Sequence, residues 1–220
     1  GRVYVQLGER VELEFSEWCK GMAEGRSYVS DGYAHALDFR ADGMAPGFGD
    51  VNLDAPGSVL VEAQVVFAPE TPLTVAQGNL ENAFGPRDLG DTVTFHGPPP
   101  EGYESGGMRT IELVVNGEPV ASKVVPADGE VHDLSFDVAL ENSSWIALRH
   151  FPQLHTNPIN IIVAENPIRV SRKSALWCIE TINQLWRARG DKIADHEKKN
   201  ARAAFDRAIL MYERIAEEAK

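Results

Sequence analysis

Apolar and polar residues alternate along most of the chain between residues 34 and 165, and a period of two is typical of half-buried β-strands. The alternation predicts strands at residues 34–40, 58–67, 91–96, 110–115, 120–125, 131–138, 144–149 and 159–163. Asn116-Gly117 separates two of them and is a strong hairpin signal. Because no helical pattern intervenes between these strands, they favour an antiparallel, immunoglobulin-like β-sandwich.

Helical spacing of apolar residues occurs on either side of this region. Near the start of the chain, it predicts a short helix from Phe15 to Gly25. Near the end, Ser171 is a plausible N-cap of a first long helix, Gly190 ends it, and Asp191 can cap a second one. Two amphipathic helices joined by so few residues predict an antiparallel helical hairpin. Their apolar stripes are formed by Ala175, Ile179, Ile182 and Trp186, and by Ala201, Ala204, Phe205, Ala208, Met211, Tyr212 and Ile215.

These patterns divide the chain into three parts. Residues 1–32 are interpreted as the tail end of a preceding domain or a linker with a short helix, residues 33–166 as the β-sandwich, and residues 167–220 as a two-helix appendage. The chain begins at Gly1 and enters a strand-like run at once, so we expect a processed chain or a piece of a longer protein.

Composition and charge narrow the classes of function. The 220 residues carry a net charge of -12, and the acidic excess lies in the first 170 residues, with 10 Lys and Arg against 25 Asp and Glu. An acidic body of this kind argues against nucleic-acid binding, which needs a basic surface. No apolar run is long enough to span a bilayer. The two cysteines, Cys19 and Cys178, have no zinc-binding spacing, and we expect two buried thiols, although a disulfide between them stays open.

The most suggestive stretch for chemistry is the segment from Arg149 to Pro158. It places a cation, two imidazoles (His150 and His155) and the amide of Asn157 in a loop that contains two prolines. Such groups could contact a substrate, exchange protons or hold a metal ion, although no carboxylate lies within the loop. The alternative is a rigid turn whose polar groups bond to local backbone. The segment 96–107, rich in Pro and Gly, is predicted to be a long surface loop.

Several stretches resemble one enzyme family. The sequence Gly25-Arg26-Ser27-Tyr28-Val29-Ser30-Asp31-Gly32 is similar to the "GRSFVTNGP" segment of the CehA/McbA-like metallohydrolases. The runs 144–149, 155–158 and 167–178 are similar, in order and spacing, to that family's "SWVALR…HTNP…PIRASRRSAxWC". The match covers residues 1–32 and 140–220 well, and the middle of the chain only in general character.

The resemblance implies a particular kind of parent protein. In this family, a metal-binding catalytic part of the polymerase-and-histidinol-phosphatase (PHP) type precedes a C-terminal β-sandwich, and it begins with a His-x-His pair. This chain contains no His-x-His, and Asp31 and Tyr33 depart from the family's Asn and Pro. By resemblance, the chain is therefore the C-terminal region of such a hydrolase, with its divalent metal expected only in the missing N-terminal part. Members are often exported, which favours a periplasmic or secreted location.

The resemblance and the residues together lead to three functional hypotheses. The first is a non-catalytic accessory region that braces its own N-terminal catalytic domain or shapes the substrate entrance. The second is a stand-alone module that binds carbohydrate or another surface ligand, using aromatics in loops such as Tyr33, Phe48, Phe84 and Tyr103. The third is a self-contained hydrolase built on His150 and His155. Candidate residues that line or brace the junction or a substrate are Arg26, Asp31, Arg149, His150, His155 and Asn157.

Overall fold

A computed structural model describes residues 1–8, 12–72 and 102–219. Within these ranges the α-helices are α1 (Phe15–Ala23), α2 (Arg172–Arg189) and α3 (Asp195–Glu218). The strands are β1 (Arg2–Val5), β2 (Ser27–Ser30), β3 (Ala34–Ala41), β4 (Val51–Leu53), β5 (Gly57–Phe67), β6 (Glu70–Pro72), β7 (Tyr103–Ser105), β8 (Met108–Val115), β9 (Glu118–Pro126), β10 (Val131–Leu140), β11 (Ser144–His150), β12 (Leu154–Thr156) and β13 (Ile159–Val163). The predicted strand 91–96 and residue Phe84 lie outside the described residues.

The larger sheet is organised around β11. On one side β11 pairs with β8, which in turn pairs with β9 in an antiparallel hairpin. On its other side β11 pairs with β13 along its first half and with β12 along its end, and β12 continues through β2 to β1. All these pairs are antiparallel, whereas β4 joins β13 in parallel. The strands β1 and β2, formed by residues 2–5 and 27–30, therefore belong to the same sheet as β11, β12 and β13.

The smaller sheet has the order β10-β5-β3 and packs its apolar face against the larger one. Along β5 every second residue is buried, because alternate side chains of a strand point to opposite faces. The shared core contains Val59, Val61, Val65 and Phe67 from β5, and Ile111, Leu113, Ile146, Leu148 and Ile161 from the larger sheet. The predicted antiparallel β-sandwich is confirmed.

The hairpin between β8 and β9 turns at Asn116 and Gly117, as predicted. Both residues have positive φ, 54° and 98°, as a tight turn of this kind requires. The Asn116 side chain also accepts a hydrogen bond from the backbone N–H of Trp145 at 3.0 Å, which ties the turn to β11.

Two loop predictions are wrong in part. Residues 103–105 of the predicted 96–107 loop form β7, which pairs with β6, while residues 96–101 lie outside the described ranges. Similarly, the predicted 149–158 loop contains the end of β11 and the whole of β12. The strands β7 and β12 are only three residues long, and such short segments show little alternation of apolar and polar residues.

Residues 1–166 and 167–220 form two compact units. In the second unit α2 and α3 make the predicted helical hairpin, and the Ser171 side chain caps α2 by accepting from the Ser174 N–H at 3.1 Å. The prediction that Asp191 caps the next helix is wrong, because residues 190–192 form a short 3₁₀ turn and α3 begins at Asp195. No helix of the described residues has the length and apolar character that crossing a membrane would require.

The expectation that both cysteines are buried is also wrong. Cys19 and Cys178 are free and only half-buried. On α2, Trp177 is 68% exposed.

Candidate functional site

Two of the candidate residues stand side by side on the outer face of the larger sheet. Arg149 on β11 is directly opposite His155 on β12, and His155 is opposite Val29 on β2. The register continues across all neighbouring strands, so that six residues from six strands form one line. We call this line the outer row; it runs Val3, Val29, His155, Arg149, Glu112, Ser122.

The outer row combines an ion pair with exposed apolar side chains. The Nε and Nη2 atoms of Arg149 both lie 2.7 Å from Oε2 of Glu112, and each side chain is a little over one-quarter exposed. His155 donates from Nδ1 to the carbonyl of Thr156 at 2.7 Å, since a carbonyl can only accept, and this leaves Nε2 as the acceptor of the neutral ring. Val29 is 49% exposed. The row is therefore an accessible surface of mixed character.

His150 faces the opposite side of the same strand and lies in the interior. Its Nδ1–H donates to the carbonyl of Thr110 at 2.7 Å, and its ring meets the edge of Phe67. Nε2 is buried and has no hydrogen-bond partner of good geometry within the described ranges. The neighbouring Gln153 is also buried and donates from Nε2 to Asp31 at 3.0 Å. Asp31 in turn accepts from the backbone N–H of Tyr33.

The surroundings of His150 hold its imidazole neutral. Burial lowers the pKa of His150 from its ordinary value, because desolvation penalises the charged form, and the nearby Arg109 guanidinium acts in the same direction. The hydrogen bond to Thr110, the Gln153 amide and the Asp31 carboxylate oppose this effect without reversing it. A neutral ring with no solvent-accessible nitrogen serves structure rather than proton exchange with a ligand.

The candidate residues Arg26 and Asn157 lie at another place, the turn between α1 and β2. Asn157 donates from Nδ2 to the Gly25 carbonyl at 3.1 Å and to the Ser27 hydroxyl at 2.8 Å. Arg26 pairs with Glu24 at 2.5 Å and lies over the ring of Phe48, 5.3 Å from its centre. Both residues therefore brace the junction between the start of the chain and the sandwich.

Two cavities of the first unit open near this turn. One, of about 280 Å³, lies between β3 and the strands β1 and β2, and it is lined by Tyr4, Arg26, Tyr28 and Asp38 among others. Tyr4 and Tyr28 stack there with ring centres 5.1 Å apart, and Tyr28 shares a 2.9 Å hydrogen bond with Nδ1 of His35. Burial raises the pKa of Tyr28 to about 12, so its hydroxyl keeps its proton. The other cavity, of about 370 Å³, is lined by acidic and amide side chains.

The six candidate residues thus occupy three places rather than one. Arg149 and His155 are neighbours on the outer row. His150 and Asp31 lie near each other, with Gln153 between them. Arg26 and Asn157 both lie at the turn between α1 and β2. His150 and His155 face opposite sides of the sheet, because their cross-strand partners Leu154 and Arg149 are on the core face and the outer face respectively.

Sequence reasoning missed three residues that shape these places. Glu112 and Arg109 both lie on β8 and Gln153 precedes β12. Arg109 is completely buried on the core face, with Nη1 3.9 Å from Glu104, while Nε and Nη2 have no partner within the described part of the chain. The alternation of β8 carried the signal, since it put residue 109 on the same face as Ile111.

The donor set does not fit a metal centre in this part of the chain. Among residues 1–8, 12–72 and 102–219, no three His, Cys, Asp or Glu side chains converge to hold an ion. One ring nitrogen of His150 is committed to a carbonyl and the other is enclosed, so no step is assigned to a metal here. No protein-family model matches the sequence, and no curated protein matches it either.

Proposed function

We propose that this chain is a non-catalytic β-sandwich region of a PHP-type metal-dependent hydrolase, which braces the catalytic domain or shapes its substrate entrance. One observation supports it above others: the family-like stretch 25–32 lies far in sequence from the family-like stretches 144–149 and 155–158, yet the strands in them are neighbours in one sheet. The stretch 25–32 contains β2, residues 155–158 contain the end of β12, and residues 144–149 lie in β11. These strands are paired in the order β2-β12-β11.

The outer row is the surface through which this role would be carried out. A partner covering it would bury Val3 and Val29, which are 42% and 49% exposed, and burial of apolar area drives association. The Arg149–Glu112 pair, a little over one-quarter exposed, lies farther along the row, and its charges already neutralise each other within the sheet. Because the row crosses six paired strands, its side chains are held on a rigid support.

The first test is catalytic. We expect the purified chain, supplied with Zn²⁺ or Mn²⁺, to hydrolyse p-nitrophenyl esters no faster than buffer does. Turnover by the clean protein that disappears in both His150→Ala and His155→Ala would support a self-contained hydrolase and overturn the accessory role.

The second test is of docking. The separately expressed catalytic part of the parent protein is titrated with this chain and binding is followed by calorimetry. We expect Val29→Asp to weaken binding at least about tenfold, since a charge would be buried in the contact. The matched control is Val120→Asp, which changes a residue that is 52% exposed on β9 outside the outer row. Equal binding by the two variants would contradict the assignment of this face.

A further inference from the structure

The 370 Å³ cavity beside the turn at Gly25 is lined by four polar side chains. Its walls carry the carboxylates of Glu24 and Asp50 and the amides of Asn157 and Asn160. Its remaining lining is formed by Pro158 and three glycines, Gly25, Gly47 and Gly49. The volume falls within the range of about 300–1,000 Å³ that is usual for small-molecule sites.

The donors and acceptors that the lining side chains leave unused determine what kind of ligand the cavity can bind. Asn157 uses both protons of its amide, on the Gly25 carbonyl and the Ser27 hydroxyl. Asn160 donates from its amide to Oδ1 of Asp50 at 3.1 Å. Apart from the second N–H of Asn160, these side chains still offer hydrogen-bond acceptors: the amide oxygens, and the carboxylate lone pairs that do not bond to Arg26 or Asn160. The lining therefore favours a ligand that presents several hydrogen-bond donors.

The charges favour a neutral donor over a metal ion. The Arg26 guanidinium lies 2.5 Å from Glu24 and would repel a cation bound to that carboxylate. Asp50 is then the one carboxylate of the lining without a cationic partner among the described residues. A calcium ion takes about 6–8 oxygen ligands and prefers several charged ones, which this lining does not supply. Hydroxyl groups have no such requirement.

An exposed aromatic ring lies next to this lining without being part of it. Phe48 stands between the lining residues Gly47 and Gly49 in sequence and is 53% exposed, and the Arg26 side chain that pairs with the lining residue Glu24 also contacts its ring. Arg26 lies over the ring, 5.3 Å from its centre, which fixes its position. An exposed aromatic ring next to acceptor-rich side chains offers both an apolar contact and directional hydrogen bonds, and a sugar ring presents the complementary C–H face and hydroxyl edge.

We propose that this cavity is a binding site for a neutral polyhydroxylated ligand of the size of a monosaccharide unit. Its hydroxyl groups donate to Glu24, Asp50 and the amide oxygens of Asn157 and Asn160, and its ring packs against Phe48. The site is independent of the accessory role proposed above, because it uses neither the outer row nor the catalytic domain.

The test is a titration of the ¹⁵N-labelled full chain with the methyl glycosides of glucose, mannose, galactose and xylose, followed by NMR. We expect one of them to shift the side-chain amide signals of Asn157 and Asn160, with a dissociation constant in the millimolar range (about 1 mM) for so small a ligand. Asp50→Ala is expected to weaken this binding at least about tenfold.

A matched control and two competing probes make the outcome decisive. Asp54→Ala changes an exposed acid in the same stretch that does not line the cavity, and it should leave the affinity unchanged. Phe48→Ala should weaken binding without altering the hydrogen-bonding groups. The proposal is overturned if no glycoside shifts these amides, if Asp50→Ala and Asp54→Ala bind alike, or if glycerol shifts them as strongly. Shifts with CaCl₂ but with no glycoside would also overturn it, and would identify a cation site instead.

Discussion

Replacing Gly47 by alanine should destabilise the first unit more than the same change at Gly43. Gly47 has φ = 78°, where an L-residue costs about 1–2 kcal/mol. A methyl group there would lie 2.6 Å from the backbone nitrogen of Arg26 and closer still to the carbonyl oxygen of Glu24. Because these are backbone atoms, the turn itself must shift, which adds about 1–3 kcal/mol. The expected loss of unfolding free energy is therefore about 2–5 kcal/mol.

Gly43→Ala is the matched control. Gly43 has nearly the same φ, 79°, but nothing lies within 4 Å of its added methyl group, so only the conformational cost of about 1–2 kcal/mol applies. Both variants are made in a Trp177→Phe, Trp186→Phe background, so that urea unfolding followed by fluorescence reports on the first unit. If Gly47→Ala is destabilised no more than Gly43→Ala, the close packing of the Gly47 loop against the turn is refuted.

Three further predictions use the same urea assay. The unfolding free energy should fall as the pH drops below about 6.5, the ordinary pKa of histidine. The reason is that His150 in the unfolded chain takes up a proton there, whereas the folded state, in which the pKa of His150 is lowered, does not. His150→Gln should flatten this pH dependence, and an unchanged slope in that variant would contradict the role of His150. Asn157→Ala should cost about 1–3 kcal/mol and exposed Asn52→Ala under about 0.5 kcal/mol, so equal losses would contradict the bracing role. Arg109→Met should leave stability unchanged or higher, because two of the buried guanidinium nitrogens make no hydrogen bond and Glu104, 3.9 Å away and 22% exposed, keeps contact with water; a loss above about 1 kcal/mol would show that the buried guanidinium is needed.

The long strands could be predicted because each carries its own pattern. Along β5 and β10, strict alternation marks one face as buried whatever lies opposite. The strands β2, β4 and β12 have only three or four residues, too few for a period to be recognised. They exist because a neighbouring strand completes their hydrogen bonds, and such pairing is set by the tertiary structure. The same reason explains why the sequence around His155 predicts a loop.

The sequence identifies candidate residues more readily than it shows which of them lie close together in the fold. The side-chain chemistry of Arg149, His155 and Asn157 marks each of them as a candidate, and each has a defined set of contacts. Their separation into different places follows from strand register, which no local pattern reveals. Glu112 pairs with Arg149 only because β8 lies beside β11 in one register, and a shift by one residue would turn it to the core.

The alternation of the β11–β12 hairpin decides which of its two histidines is available to a partner. Outward-facing Arg149 and His155 alternate with inward-facing His150 and Leu154, so the sheet itself lies between the two imidazoles. A substrate that touched His155 could not reach His150, whose ring is bonded to Thr110 and packed on Phe67. Substitutions of the two histidines should therefore have different effects. A change at His150 should alter stability, and a change at His155 should alter contacts on the outer row. For this reason the geometry favours a docking face over a histidine pair acting on one substrate.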